Sequence, residues 1–280
     1  MLNDFAKERS CVFALIWVLV SFLIFFPTKL CAADVAFFYA LDKDYSTLAA
    51  MADRGGQSVK VGSHVIARLT IGSNRIFTCK MNSGAVESAL SANTLLSKFH
   101  CDMAFAIGPA GALSDSAPIG KWFQVSKIFA YQHGSEDSTG FVLAPNAIQT
   151  LAVPPHSINL PSLFKNLPDW DVASGETFVL SAGFRQRIQD LTHADTVDMN
   201  LYGLAAACAD FKVPLYCWRV VSDHADEHAG DDFRKFTTDY DGAGARAIGE
   251  IIRFLPQNPI SPTSYPGLRN LLDNAKATSP

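Results

Sequence analysis

Apolar positions run almost without a break from Val213 to Val221 (VPLYCWRVV). An unbroken apolar run of this length predicts a strand covered on both faces, as in an α/β sheet. A single cation, Arg219, interrupts the run, and Ser222-Asp223 closes it. Ligands of open α/β sheets bind beyond the carboxyl ends of the strands, so a buried arginine followed by an acid there marks a candidate site. A structural ion pair between Arg219 and Asp223 is the other reading, because buried charges are rarely left unpaired.

The rest of the chain is organised around this stretch. Residues 34–41 (DVAFFYAL) predict a first buried strand, followed by a short helix over 45–51. Residues 64–71 and 75–81 predict a strand pair turning at Gly72-Ser73-Asn74. Asn82-Ser83-Gly84 leads into a helix over 88–99, then a strand over 103–107 closes in GPAGAL. A strand is expected over 121–131, and 134–171 reads as proline-bearing loop with no assigned element. Short strand-like pieces at 178–180 and 196–199 precede an alanine-rich helix over 200–211. A long helix over 239–255 carries Ala243, Ala247 and Ile251 on one face. Strands and helices alternate, which predicts a single α/β domain with a central mixed sheet flanked by helices.

Length and composition refine this picture. The 280 residues are 49% hydrophobic with a net charge of −4, enough for one large core. The lack of a basic cluster argues against a nucleic-acid partner. Lys7 and Arg9 precede an apolar run from Cys11 to Phe26, and Cys31-Ala32-Ala33 supplies small residues. That layout predicts a secretory signal peptide over 1–33, hence an exported protein without stable membrane association after cleavage; an uncleaved anchor is the alternative. The α/β domain is then expected over 34–256 and a proline-rich tail over 257–280. Cys79, Cys101, Cys208 and Cys217 are expected as free core thiols, with disulfides in an oxidising compartment the alternative, and no cysteine–histidine spacing suggests zinc. His224 and His228 stand four apart but read as a solvated loop, so no metal is expected.

Polar residues fall at several strand ends: Asp44, Ser83, the glycines of GPAGAL, Asp198 with Asn200, and Arg219 with Asp223. Two carboxylates in different surroundings can divide the acid and base roles of a hydrolysis. GPAGAL lacks the GK[ST] ending of a P-loop and is not GxGxxG. Its glycines say only that the backbone passes close to something.

Taken together, GPAGAL, SGETFV, VDMNLYGLAAAC and WRVVSDHAD occur in the order found in the nucleoside phosphorylase superfamily. Over roughly 35–255 the chain resembles its hydrolytic branch, the methylthioadenosine/S-adenosylhomocysteine nucleosidases. The resemblance implies that Asp223 protonates the departing purine. It implies that Asp44, standing where the family has a glutamate, activates water together with Ser83 and Arg219. Phe178 would stack on the base, the backbone of Val179 would contact its edge, and Gly111 would also bind the substrate. Met199 and Asn200 would meet the ribose, and Leu41 and Phe233 the 5′ substituent. The chain departs from the family pattern at Asn200, a neutral amide where a glutamate binds the ribose hydroxyls, and charge-assisted bonds are about twice as strong. Asp44 is one methylene shorter than that glutamate, Pro109 replaces a small polar residue, and Asp198 replaces a glutamate. The expected activity is purine nucleoside hydrolysis without a cofactor by a homodimer. A phosphate-dependent phosphorylase and a non-catalytic nucleoside-binding or storage protein are the alternatives.

Overall fold

The computed structural model describes residues 32–255 apart from 116 and 139. The expected signal peptide, apart from its last two residues, and the expected proline-rich tail lie outside these residues.

The chain opens with β1 (Asp34–Tyr39), α1 (Asp42–Met51), β2 (Ser58–Val61), β3 (His64–Ile71), β4 (Asn74–Lys80) and α2 (Ala85–Leu96). Next come β5 (Met103–Ala112), β6 (Trp122–Ala130), β7 (Gly134–Asp137), β8 (Gly140–Leu143), β9 (Ile148–Thr150) and β10 (Asp169–Ser174). The chain then runs through α3 (Ala182–Thr192), β11 (Thr196–Asp198), α4 (Leu201–Asp210), β12 (Leu215–Asp223), α5 (Ala229–Asp239) and α6 (Ala243–Arg253).

Ten strands form one mixed sheet in the order β11-β10-β6-β12-β5-β1-β4-β3-β2, with β9 on β6. Strand β12 runs parallel to β5 and antiparallel to β6, and all nine of its residues are buried. Strand β11 also pairs antiparallel with β5 through Thr196–Ala112 and Val197–Gly111. That pairing closes β5, β12, β6, β10 and β11 into a ring.

Both faces of the sheet are apolar because both are covered. Ala36 and Phe38 of β1 point to a layer with Ala92 and Leu95 of α2 and Leu201 and Leu204 of α4. Val35, Phe37 and Tyr39 point the other way, toward Leu48 of α1 and Ala247, Ile248 and Ile251 of α6. Trp218 in β12 stacks on Phe164 with ring centroids 4.4 Å apart, tying the 3-10 turn Ser162–Phe164 to the central strand.

Several expectations change. Strand β5 continues through GPAGA rather than stopping at Ile107, because its glycines pair within the sheet and leave room for neighbouring side chains. Residues 178–180 are not a strand but an extended loop. The expected helix over 239–255 is α6, which begins only at Ala243, since Asp239 ends α5 and Tyr240-Asp241-Gly242 separates the two; Gly242 has φ +80, and a Cβ there would come within 2.2 Å of Thr47. Helices α3 and α5, in segments to which the sequence assigns no element, are amphipathic surface helices rich in charged and polar residues. The 134–171 region holds β7, β8, β9, two 3-10 turns and the start of β10. The four cysteines are free and buried. His228 precedes α5 and His224 sits beside Asp232; among the described residues no cluster suited to a metal occurs.

Candidate active site

A pocket of about 370 Å³ opens where β1, β5, β11 and β12 end, within the range of small-molecule sites. Ala40, Leu41, Gly111, Val179, Met199, Asn200 and Asp223 line it, and Ser83, Thr177, Phe178 and Phe233 close its more exposed side. Nine of the eleven site residues expected from sequence therefore line it. Asp44 and Arg219 do not: both are fully buried behind the wall.

Asp223 ends β12 beyond an irregularity in the β5 pairing between Val221 and Asp223. Such a bulge re-aims a side chain, and here it places the carboxyl on the pocket wall. The carboxyl is held from two sides. Oδ1 accepts the Ala225 N–H at 3.0 Å, and Oδ2 takes the Ser222 hydroxyl at 2.7 Å. Ala225 supplies that N–H from the left-handed region, with φ 51. Burial pushes the Asp223 carboxyl above its ordinary range, against the opposing pull of these two bonds. Gly111 makes room for it: a Cβ there would stand 2.7 Å from Oδ1.

Arg219 pairs with Asp198, not with Asp223 as the ion-pair reading of the sequence had it. Its Nη2 donates to Asp198 Oδ2 at 2.9 Å and to Asn200 Oδ1 at 2.8 Å. An arginine can only donate, so the amide oxygen of Asn200 faces the cation and its NH₂ is left for the pocket. Met199 lies between these two anchored residues. Arg219 Nε and Nη1 are buried without a protein partner.

Asp44 lies in the first turn of α1, close enough to Arg219 to feel its charge. Burial pushes its carboxyl up to about 7, opposed by the hydroxyl of Tyr240, by Arg219 and by the Leu41 backbone. Oδ1 accepts from Tyr240 at 2.7 Å, and Oδ2 is buried without a partner.

At the mouth, Phe178 and Phe233 meet edge to face with centroids 5.7 Å apart. Glu176 accepts the Val86 N–H at 3.1 Å, binding the Phe178 loop to the start of α2 beside Ser83. The start of a helix favours such a carboxylate. Ser83 itself does not cap that helix: Gly84 occupies the cap, with φ 101. Tyr240, Ser222 and Glu176 were not singled out from the sequence; each acts on a site residue distant in the chain or through its own neighbour.

A buried acid on one wall, its carboxyl pushed upward by burial, and a second buried carboxyl beside an arginine fit acid–base cleavage of a bound molecule. The apolar and aromatic mouth fits a flat ring.

The sequence profile of the Phosphorylase superfamily matches residues 34–254. The chain is 28% identical over 178 residues to the 5'-methylthioadenosine/S-adenosylhomocysteine nucleosidase of Staphylococcus saprophyticus, covering 61% of this chain and 78% of that one. It is 27% identical over 164 residues to the aminodeoxyfutalosine nucleosidase of Campylobacter jejuni, covering 55% and 69%. Among solved structures, the Helicobacter pylori 5'-methylthioadenosine/S-adenosyl homocysteine nucleosidase superimposes with a TM-score of 0.70 at 19% identity, over 79% of this chain and 98% of that one. The fold is shared with that structure, and the chain belongs to the phosphorylase superfamily.

Proposed function

We propose that this protein is a purine nucleosidase, hydrolysing the N-glycosidic bond of a nucleoside or 5′-thionucleoside such as methylthioadenosine. The observation that carries this reading is the pair of buried acids, Asp223 on the pocket wall and Asp44 beside Arg219. The names of the relatives point the same way.

In this reading the purine lies against Phe178 and the Val179 backbone, with the ribose over Met199 and beside Asn200. Leu41 and Phe233 receive the 5′ substituent. Asp223 gives its proton to N7 of the base as the C1′–N9 bond breaks, and the bonding electron pair leaves with the base. The oxygen of water bonds to C1′, and Asp44 takes the proton that water loses, with Arg219 and Ser83 helping to hold that water. The products are free base and free sugar. Water is favoured over phosphate because no lysine or arginine is among the pocket-lining residues to join Arg219, and a phosphate would call for more than one such cation.

The test is release of free base from methylthioadenosine, adenosine and inosine, with and without phosphate. Phosphate-independent release, lowered at least 100-fold in Asp223→Asn, is the expected result, since general acid catalysis contributes about 10²–10⁴-fold. Release that needs phosphate would make the protein a phosphorylase. Binding without release would make it a nucleoside-binding relative.

Two further proposals accompany this one. Export is supported by the apolar run from Cys11 to Phe26, and the N-terminal sequence of the natural protein tests it: a chain starting at Met1 would refute cleavage. A homodimer is supported by Val86 and Leu90, exposed one turn apart on α2 next to the pocket mouth. A monomer mass by light scattering would refute it.

A further inference from the structure

Tyr240 lies in the turn between α5 and α6, 196 residues from Asp44. Its hydroxyl oxygen accepts the Gly244 N–H at 3.2 Å and stands 2.7 Å from Asp44 Oδ1. The direction of these bonds follows from the groups. An amide N–H only donates, so the phenol's own hydrogen is the one that goes to the carboxylate. Oδ1 of Asp44 is thereby committed as an acceptor, and Oδ2 is the oxygen left buried without a partner.

The tyrosine has little freedom to release that bond. Its ring stacks on Phe236 with centroids 5.4 Å apart and tilts against Trp122 at 6.5 Å. Gly244 is itself held close, since a Cβ there would stand 2.5 Å from the Trp122 ring and 3.1 Å from the Tyr240 hydroxyl.

We infer that Tyr240 is a positioning residue for the hydrolysis: anchored by the Gly244 N–H, it locks Oδ1 of Asp44 as an acceptor and leaves Oδ2 to receive the proton from water. This inference rests on the nucleosidase reading and deepens it. An aspartate can swing about its side-chain bonds, and a fixed second oxygen replaces that freedom with one orientation. The groups that face Asp44 are Tyr240 from the α5–α6 turn, Arg219 from β12 and the backbone of Leu41. Tyr240 also faces Asp241. Burial, followed by the charge of Asp44, pushes the phenol well up, so it stays a donor across the working range.

The experiment measures the pH dependence of kcat/KM for phosphate-free base release from methylthioadenosine in the full chain. The variants are Tyr240→Phe, Asp44→Asn and the double variant, with thermal melting as a check on folding. Tyr240→Phe removes a bond that stabilises the charged carboxylate. The acidic limb is then expected to move to higher pH by about one unit, the size of a lost hydrogen bond to a charged group. kcat is expected to fall more than KM changes. In the Asp44→Asn background the same change should alter the rate less than about threefold, because the two residues act as one unit. As a second arm, 3,5-difluorotyrosine at position 240 makes a stronger donor and should move the limb to lower pH. An unmoved limb in both arms, or independent losses in the double variant, would overturn the inference. A wild-type chain that releases base from no nucleoside would instead overturn the nucleosidase reading, and the inference would fall with it.

Discussion

Gly111→Ala tests the site with the smallest change available. Gly111 pairs with Val197 of β11 and with Asp223 of β12. Its backbone is outside the left-handed region, so alanine is tolerated there except for the space its methyl group needs. That Cβ would stand 2.7 Å from Asp223 Oδ1 and 3.2 Å from the Ala225 Cβ. To regain the 3.4 Å at which ordinary contact begins, the carboxylate must retreat by about 0.7 Å, because van der Waals repulsion is steep at shorter range. Oδ1 is the oxygen that accepts the Ala225 N–H, so the retreat strains or breaks that bond. Overpacking of this kind costs about 1–3 kcal/mol, which lowers Tm by roughly 2–10 °C for a domain of this size. The effect on rate is larger, since a displacement approaching 1 Å at a reacting group costs up to about 100-fold. kcat/KM for base release is therefore expected to fall about 10–100-fold at a temperature where the variant is folded. In the Asp223→Asn background the same methyl group should add little to the loss. A Gly111→Ala variant that melts lower yet keeps kcat/KM within twofold of wild type would refute the argument, because the position of Asp223 would then not govern the rate.

Two other perturbations address the carboxylate and the amide. In the folded protein the Asp44 carboxyl is pushed up to about 7 from its ordinary 3.8, so the folded protein binds its proton more tightly than the unfolded chain. Its contribution to stability is full below about pH 4 and is lost as pH rises through about 7. Asp44→Asn should accordingly flatten the dependence of Tm on pH across that window and raise stability at pH 8 by an order of a few kcal/mol. A parallel pH dependence in variant and wild type, measured by thermal melting, would contradict the buried-acid assignment. Asn200→Asp puts an acceptor-only carboxylate where an amide NH₂ now faces the pocket, still beside Arg219. It should increase the preference for adenosine over 2′-deoxyadenosine at least tenfold, because a charged acceptor discriminates hydroxyls more sharply. An unchanged ratio of kcat/KM values would mean that Asn200 does not meet the sugar hydroxyls.

The central strand and its end were legible because they rest on a strong local signal. An apolar run broken by Arg219 and closed by Asp223 reads as strand β12 ending in a site. The β3–β4 hairpin followed from Gly72, which turns at φ +60. Helices α3 and α5 were harder to see, because their faces mix charges with few apolar residues and much of each helix is solvent-facing. GPAGA, placed after the strand in the sequence reading, is itself strand, since its glycines answer to the side chains of Arg219 and Asp223 rather than to a turn. In the site, nine of the expected residues line the pocket, six of them from the ordered motifs. No spacing could pair Tyr240 with Asp44 or turn Arg219 from Asp223 to Asp198. Those choices are made by packing between segments remote in sequence.

The ring formed when β11 returns to β5 bears on how the molecule breathes. Asp198 and Asp223 sit on strands whose hydrogen bonds run around a closed circuit, so neither strand can peel from a free edge. Amide protons of β5, β11 and β12 should exchange with solvent only in the rarest, near-global openings, whereas the 175–181 loop and α5 exchange through local ones. The floor of the pocket then keeps its shape while its rim moves, and molecules enter and leave by way of the rim.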